Sequence, residues 1–340
     1  MSKLAVLIVL ALTLVLPAAA EGATPTFEAA TFNATAGATS DVDLDLAISA
    51  DNAAPARIVI YVPSGYTLNT GAAAGTSVGT IDATAVVGGT SLQIPEGKIV
   101  ADNPSNFVAN ACAPGAHAAV WVAHAGSFAI PIYVDPTSGA ETALGAYKFV
   151  TCLLSPYVPE SAGGAPSGAR LTEADLGFFQ SSTLGVTAVL TNPSTKGIYI
   201  WRALVTPYTV GSATPNALGT YELRGDVFIP TTLTLKKKKF NKKTKTVTLT
   251  GKLMLVGTPI GGVPIDIRRL DNGKLLKRAK TNKKGIYTAT LKLTKTTLLI
   301  AIVLPGEGSC DPSPPSPAPA GCTSETSTVI VGDRLKVVPK

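Results

Sequence analysis

The feature that most constrains this chain is a two-residue alternation of apolar and polar side chains, repeated in short runs. In "DVDLDLAIS" the apolar side chains Val42, Leu44, Leu46 and Ile48 alternate with polar ones. Side chains two positions apart lie on the same face of a β-strand, so these runs predict strands with one buried face. Glycine and proline, 32 and 25 of 340 residues, separate the runs, and long stretches of strong helix formers are missing. The sequence therefore predicts an all-β protein.

Charge divides the chain into two parts. Residues 1–226 contain 8 Lys/Arg and 16 Asp/Glu, a net charge of −8, whereas residues 227–340 contain 21 and 6, a net charge of +15. We predict an acidic β-sandwich domain over 21–229 and a basic β-sandwich domain over 230–340. Opposed charges of this size suggest that the basic part meets an anionic partner.

The segment 155–169 leaves the organisation of the acidic part open. It is rich in proline, glycine and serine, so it is either a long loop or a linker between two modules. We favour one large sandwich, because 170–229 is short for a β domain. The following "LTEADLGFF" predicts a short helix from about Thr172. Upstream, "AAVWVAH" and "FAIPIYVD" flank Ala125-Gly126-Ser127, which predicts a hairpin.

The N-terminal residues have the pattern of a secretory signal peptide over 1–20. Lys3 precedes a largely apolar run from Leu4 to Leu16, which is too short to cross about 30 Å of hydrocarbon as a helix. Ala18 and Ala20 supply small residues for cleavage before Glu21. We therefore expect a secreted, extracellular protein, with association with the cell envelope left open, and without a transmembrane segment after cleavage.

Four cysteines, Cys112, Cys152, Cys310 and Cys322, are widely spaced. In an oxidising compartment an even number at such spacing predicts two disulfides. Of the three connectivities we favour the local one, Cys112–Cys152 and Cys310–Cys322. Without a C-x-x-C pair, metal ligation by these cysteines is not expected.

Residues 245–305 resemble the carboxypeptidase regulatory-like and bacterial Ig-like domains of secreted proteins. The resemblance rests on a strand entry formed by Pro259, Ile260, Gly262, Val263 and Ile265, and on a turn formed by Thr281, Asn282, Gly285 and Tyr287. It implies an Ig-like or transthyretin-like β-sandwich with Tyr287 in the core, and domains of this kind usually act as non-catalytic spacers or adhesive modules. Seven strand-like segments after Pro230 agree with that fold.

The basic part carries the main candidate site, a cationic surface for an extended polyanion. Two predicted strands flank "KKKKFNKKTK", with Phe240 turned inward and the lysines at strand ends and a turn. We expect one solvent-facing surface made of Lys236, Lys237, Lys238, Lys239, Lys242, Lys243, Lys245, Arg268, Arg269, Lys277, Arg278 and Lys280. Protection of an edge strand would require fewer lysines. Nucleic acid is not the expected partner, because stacking aromatics are scarce in this part.

Other motifs give weaker signals. "GTSVG" around Ser77 matches a nucleophile motif but lies in a glycine-alanine loop without a following helix. Asp41, Asp43 and Asp45 have the first calcium-loop spacings, yet the glycine and glutamate of that loop are missing. Tyr199 and Trp201 share one strand face and would form a carbohydrate platform if exposed, although core packing is the favoured role.

Together these patterns predict an exported, non-catalytic envelope or extracellular protein without a cofactor or metal. Its basic domain would attach to an anionic polymer or polysaccharide, while its acidic domain would contact a partner such as another surface protein. Two alternatives stay open at this point. One is a carbohydrate-binding module, and the other is an accessory glycan-active hydrolase with two facing carboxylates in a cleft.

Overall fold

The fold, taken from a computed structural model, is described for residues 24–31, 33–49, 52–126, 128–181, 184–303 and 330–338. It confirms the predicted all-β fold class. The strands before Pro230 are β1 Thr26–Thr31, β2 Val42–Ala47, β3 Pro55–Val62, β4 Thr67–Leu68, β5 Ser77–Val87, β6 Thr90–Asp102, β7 Ala119–Ala125, β8 Phe128–Pro136, β9 Tyr147–Cys152, β10 Arg170–Phe178, β11 Leu190–Thr191, β12 Gly197–Pro207 and β13 Tyr221–Ile229.

The strands after Pro230 belong to the basic part. They are β14 Thr231–Leu233, β15 Lys236–Asn241, β16 Thr246–Leu255, β17 Thr258–Pro259, β18 Pro264–Arg269, β19 Leu275–Lys280, β20 Ile286–Lys292, β21 Thr297–Val303 and β22 Ile330–Val337. Among the described residues the helical elements are short 3-10 turns. They span Pro104–Phe107, Gly139–Ala143, Glu160–Ala162, Pro166–Gly168 and Ala217–Gly219.

The N-terminal part is a sheet folded over on itself. Its strands follow the order β13-β12-β3-β9-β8-β7-β6-β5-β10-β2-β1, and β4 pairs with β11 separately. The two ends of this series meet, because β1 contacts β13 where Gly225 packs against Ala29. The inward side chains of all these strands therefore share one core. Strands from both sides of 155–169 belong to this sheet.

One expected element is wrong and another is confirmed. The residues predicted to form a helix from Thr172 lie in strand β10, which pairs with β5 on one side and β2 on the other. Backbone pairing on both edges outweighs the weak helix propensity of this short stretch. The predicted hairpin is confirmed, since β7 and β8 pair antiparallel with Ala125 opposite Phe128.

Three aromatic side chains pack together in the N-terminal core. Trp121, Phe149 and Phe178 are fully buried, and their ring centroids lie 5.4–5.6 Å from one another. Tilted ring pairs at this distance combine area burial with favourable ring geometry. A second, smaller core lies on the outer face, where the loop carrying Ala113 covers Val120 and Tyr133.

The C-terminal part is a two-layer sandwich, which confirms the predicted class of fold. One layer contains β14, β15, β16, β17 and β20, and the other contains β22-β21-β18-β19. Tyr287 is 1% exposed and lies in the shared core, as predicted. The turn before it contains Gly285 at a φ of 70°, a conformation that glycine adopts without strain.

The two sandwiches are connected along the chain, by strand pairing and by Phe228 of β13, which packs into the C-terminal core. The chain passes from β13 into β14 through Pro230, and Thr31 of β1 pairs in parallel with Ile330 of β22. The start of β14 lies at this junction and pairs with the last residue of β16, so the other end of β16 points away from the N-terminal part. Conversely, β1 begins at the far end of the N-terminal sandwich and ends at the junction.

Candidate functional site

The lysines between residues 236 and 245 lie on one hairpin at an edge of the C-terminal sandwich. We call β15 and the turn 242–245, which joins it to β16, the lysine hairpin; its cations are Lys236, Lys237, Lys238, Lys239, Lys242, Lys243 and Lys245. In the turn, the side-chain oxygen of Asn241 accepts hydrogen bonds from the backbone N–H groups of Lys243 and Thr244, at 3.0 and 3.3 Å. This local bonding is the reason that asparagine suits the position.

The geometry of β15 explains why four consecutive lysines reach solvent. Among the described strands β15 pairs with β16 alone, so it is an edge strand. Lys237 lies opposite Leu249 and Lys239 opposite Thr248, which leaves Lys238 as the extra residue of a bulge. A bulge and an edge position together release side chains that strict alternation would turn inward. Phe240, as predicted, packs against the core.

The cations of this hairpin are not paired within the part of the chain that the structure describes. Every ion pair found there involves other residues, and each joins residues of the same half of the molecule. The outer face of the same layer is polar, with Thr248 opposite Thr290 and Thr250 opposite Thr288. The lysine hairpin is therefore a solvated cationic edge beside a threonine face.

The arginines of the predicted surface have a different environment. Asp266, with a side chain 1% exposed, is bonded by Arg268 Nη2 at 2.7 Å and by Arg278 Nε at 2.7 Å. Burial opposes ionisation of Asp266, but the hydrogen bonds from these two guanidinium groups lower its pKa. Arg269 pairs with Asp271, whose pKa falls because of that hydrogen bond.

The expectation of one continuous surface is therefore wrong. The lysine hairpin lies at the β15 edge of its layer, whereas Arg268, Arg269, Lys277, Arg278 and Lys280 lie on β18 and β19 of the opposite layer. β15 contacts β22, while β19 contacts β20, so the two cationic groups occupy opposite edges of the sandwich. The sequence could not reveal this separation, because it depends on the order of the strands.

The acidic part contains a row of carboxylates on the outside of its sheet. Glu28, Asp45, Asp175 and Asp82 lie opposite one another on the adjacent strands β1, β2, β10 and β5. Like charges in such cross-strand positions destabilise the ionised state. The sequence showed each residue separately, but their alignment follows only from the strand order.

These carboxylates hold protons more strongly than isolated ones. Burial, reinforced by the charges of Asp175 and Glu173, raises the pKa of Asp45 to about 6. Burial, the hydrogen bond with Asp43 and neighbouring charges raise the pKa of Asp175 to about 8. The row is therefore partly protonated near neutral pH, and its effective negative charge is smaller than the formal count.

The predicted carbohydrate platform is not formed. Trp201 is completely buried, with its ring centroid 5.2 Å from that of Tyr66. Tyr199 packs on the edge of the same tyrosine at 5.8 Å and bonds through its hydroxyl group to Thr195. The inward face of β12 carries Trp201 into the core and holds Tyr199 half-buried against it, so the two rings cannot stack together on a sugar.

One of the two predicted disulfides is confirmed. Cys112 is bonded to Cys152, and this bond closes the loop that crosses the outer face of the N-terminal sandwich. His117 fixes the same loop, with Nδ1 at 2.8 Å from Asp135 Oδ2 and Nε2 at 3.0 Å from the carbonyl oxygen of Ala113. Cys310 and Cys322 lie outside the described residues.

The weaker motifs have structural explanations. Ser77, expected in a loop, is the first residue of β5 and is 9% exposed, so it does not lie in the turn that a nucleophile elbow requires. Asp43 and Asp45 alternate with buried apolar side chains along β2. Within the described ranges, no group of three or more His, Cys, Asp or Glu side chains is arranged to hold a metal ion. No helix there is long and apolar enough to cross a membrane.

Comparison with known proteins gives weak similarities. No family model matches the chain, and no curated protein matches it. Among solved structures, the D0-D1 domain of Intimin is 11% identical, with a TM-score of 0.22 and coverage of 93% of this chain and 100% of that chain. The T6 backbone pilin of serotype M6 Streptococcus pyogenes is 9% identical, with a TM-score of 0.27 and coverage of 93% and 52%.

A third structure, the D00-D0 domain of Intimin, is 14% identical, with a TM-score of 0.21 and coverage of 80% of this chain and 99% of that chain. Scores of this size do not establish a shared function. The resemblance of residues 245–305 to regulatory-like domains therefore stays a prediction.

Proposed function

We propose that this chain is an exported, non-catalytic protein that attaches to an anionic polymer of the cell envelope or extracellular matrix through its lysine hairpin. The observation that carries the proposal is the set of lysines on one exposed edge without ion pairs among the described residues. The acidic sandwich extends away from that edge and is available to contact a partner. This form of attachment needs neither a cofactor nor a metal.

The geometry suits an extended polyanion. β15 spans about 20 Å at the usual rise of a strand, and its turn adds further cations in the same direction. Lysine ammonium groups act as mobile point charges, which suits a polymer whose anionic groups vary in position. Since the cations are fully solvated, the attraction has to be steeply dependent on salt.

The binding test uses inorganic polyphosphate as the probe and two matched variants. We expect the variant Lys236→Gln, Lys237→Gln, Lys238→Gln, Lys239→Gln to bind at least tenfold more weakly than the natural sequence at about 0.1 M salt. Its dependence of log Kd on log salt should be shallower by about 3, because each phosphate that a lysine neutralises contributes roughly 0.7–0.9 to the slope. The control is Lys274→Gln, Lys277→Gln, Lys280→Gln, Lys283→Gln, with the same change of charge near the opposite edge.

The two variants separate a specific surface from net charge. Equal weakening in both would show that the overall charge, rather than the lysine hairpin, attracts the polymer, and would refute the proposed surface. In cells, about 0.5 M salt should release the protein from the envelope fraction, because screening lengths then shrink to a few Å. Full recovery in the medium at low salt would refute the attachment role.

Neither alternative role gains support. The carbohydrate platform fails because Trp201 is buried. A hydrolase needs two facing carboxylates in a cleft, yet the aligned carboxylates lie on the outside of a sheet. We therefore keep the non-catalytic role as the proposal.

A further inference from the structure

The N-terminal sandwich contains an apolar cavity of about 330 Å³ between its layers. Leu44 and Leu46 of β2, Ile58 and Ile60 of β3, and Ile132 of β8 contribute to its wall. Apolar cavities of about 150 Å³ already stay free of water and bind benzene. Ligand pockets in proteins commonly begin near 300 Å³. The size and lining of this cavity are thus those of a site for a hydrocarbon group.

Small side chains create the cavity. The inward positions Ala83 and Ala85 of β5, Ala123 and Ala125 of β7, and Ala174 of β10 are occupied by alanine, and all five line it. In the same core, the bulky rings of Trp121, Phe149 and Phe178 pack against one another. A methyl side chain fills far less space than such rings, so a gap persists beside the alanines although cores normally close such gaps.

The cavity opens at the end of the sandwich that is remote from the C-terminal part. Among its lining residues, Leu154 is 56% exposed, and Ala129 and Pro166 are exposed as well. These residues lie where β9 ends, where β8 begins and in the proline-rich segment before β10. A ligand has access to the apolar interior from this opening.

One cation lies among the apolar lining residues, and it is incompletely bonded. Arg170, the first residue of β10, donates from Nη2 to the carbonyl oxygen of Ser49 at 3.1 Å. Its Nε is buried and has no hydrogen-bond partner among the described residues, and none of their carboxylates forms an ion pair with Arg170. An unsatisfied buried donor on a charged group is costly unless a ligand completes it.

Tyr221, near Arg170, also has a buried donor without a hydrogen-bond partner among the described residues. Its hydroxyl group is buried and has no partner within the described ranges. The tyrosine is close enough to Arg170 for the guanidinium charge to act on its pKa, which burial nevertheless raises. Among the described residues, two buried donors without acceptors therefore lie at the same end of the sandwich, and one of them, Arg170, lines the apolar cavity.

We propose that this cavity binds the hydrocarbon chain of a fatty acid, with Arg170 bonding the carboxylate at the opening. A guanidinium group donates two parallel hydrogen bonds to a carboxylate, which matches the donor capacity that Arg170 retains among the described residues. The apolar chain then occupies the space left by the alanines. The sequence alone could not show the site, because its wall comes from strands far apart in the chain.

The first test uses the unmodified protein and isothermal titration calorimetry with octanoate, decanoate and dodecanoate below their micelle concentrations. Affinity should rise about fourfold for each added methylene group while the cavity accepts the chain. Dodecyltrimethylammonium, with the same chain and the opposite charge, should bind at least tenfold more weakly than dodecanoate. No binding of dodecanoate, or equal binding of the cationic amphiphile, would overturn the proposal.

Two variants assign the parts of the site. Arg170→Gln should weaken dodecanoate binding at least tenfold, whereas Arg224→Gln, at an exposed arginine of β13, should leave it unchanged. Ala123→Leu should abolish binding by filling the cavity, whereas Ala101→Leu, at a buried alanine outside the lining, should retain it. If a leucine variant fails to fold, the chain-length series decides the outcome. Unchanged affinity in Arg170→Gln would refute the assigned carboxylate contact and with it the proposal.

Discussion

Asp266 of the basic part and the carboxylate row of the acidic part differ in how their negative charges are balanced. In the basic part, Asp266 is buried between two arginines, which lower its pKa. In the acidic part, Asp45 and Asp175 are half-buried beside other carboxylates, and both pKa values rise. The comparison shows that the formal charge of a region is a poor measure of the charge it presents. The carboxylate row of the acidic part is partly protonated near neutral pH, and several arginines of the basic part are paired with carboxylates.

The N-terminal sandwich is also stabilised covalently, by the disulfide between Cys112 and Cys152. Removal of this disulfide should give the largest change in the free energy of unfolding. Cys112 and Cys152 are separated by 40 residues, and their bond belongs to the N-terminal sandwich. Cys112→Ser, Cys152→Ser should lower the free energy of unfolding of that sandwich by about 4 kcal/mol, because the unfolded loop gains freedom. Urea unfolding followed by tryptophan fluorescence measures it, since Trp121 and Trp201 both lie in this part.

The C-terminal sandwich supplies the control for this experiment. Hydrogen exchange of amides in β16 should stay unchanged in the double serine variant if the two sandwiches unfold separately. A loss below about 1 kcal/mol from tryptophan fluorescence would show that the contacts of His117 with Asp135 already fix the loop.

The buried ion pairs of Asp266 provide a second test. Asp266→Asn should lower the free energy of unfolding of the C-terminal sandwich by about 3 kcal/mol, because both guanidinium groups lose their buried counter-charge and one of its two acceptor oxygens becomes an NH2 donor. In the unmodified protein this contribution is present above the usual aspartate pKa and disappears as pH falls through the lowered one. Hydrogen exchange in β16 and β20 measures the change.

The matched control is Asp271→Asn, which removes the solvent-exposed partner of Arg269. We expect no measurable change in exchange for this variant. Equal losses in the two variants would mean that burial does not distinguish the two ion pairs.

The carboxylate row gives the smallest expected change in the free energy of unfolding. Its contribution to stability falls as pH rises, whereas that of Asp266 is lost as pH falls. A carboxyl group with a raised pKa binds more protons in the folded state than in the unfolded state, so stability falls as pH rises between the two values. With pKa values of about 6 for Asp45 and about 8 for Asp175, the free energy of unfolding should fall between about pH 4 and 8. Because these side chains are only half-buried, solvent screening reduces the change to about 1–2 kcal/mol.

Asp175→Asn should flatten this dependence, and tryptophan fluorescence during urea unfolding at several pH values measures it. Glu96→Gln, at an exposed residue of β6 outside the row, should retain the slope of the natural sequence. A stability that rises from pH 4 to 8 in the unmodified protein would contradict the pKa directions.

The sequence predicts local features of this fold well, because they depend on neighbouring residues. Alternation in "DVDLDLAIS" gives strand β2 with its buried face, and Phe240 turns inward beside the lysines as expected. The same local reasoning fails for Thr172, where the pattern suggested a helix. Pairing of β10 with two neighbouring strands decides that segment, and pairing partners are not visible in a single window of sequence.

The sites depend still more on strand order. The lysine run is evident from residues 236–245, but its separation from Arg278 requires knowledge of the layers. The cavity required the alignment of Ala83, Ala123 and Ala174 on different strands. The available signal in the sequence is alanine at alternate positions of strands whose other side chains are bulky. This signal becomes informative only once the alanines are known to face the same core. Arg170 directly follows the proline-rich segment 155–169, and nothing in its immediate neighbours marks it as part of a site.

The double connection between the sandwiches has a consequence for orientation. Rotation of one sandwich about Pro230 alone would break the pairing of Thr31 with Ile330. The two sandwiches therefore keep a fixed relative orientation. The turn of the lysine hairpin and the cavity opening beside Leu154 lie at opposite ends of the molecule. A molecule attached through its lysine hairpin would thus hold the opening of its apolar cavity away from the anionic polymer, at a distance close to the full length of the molecule.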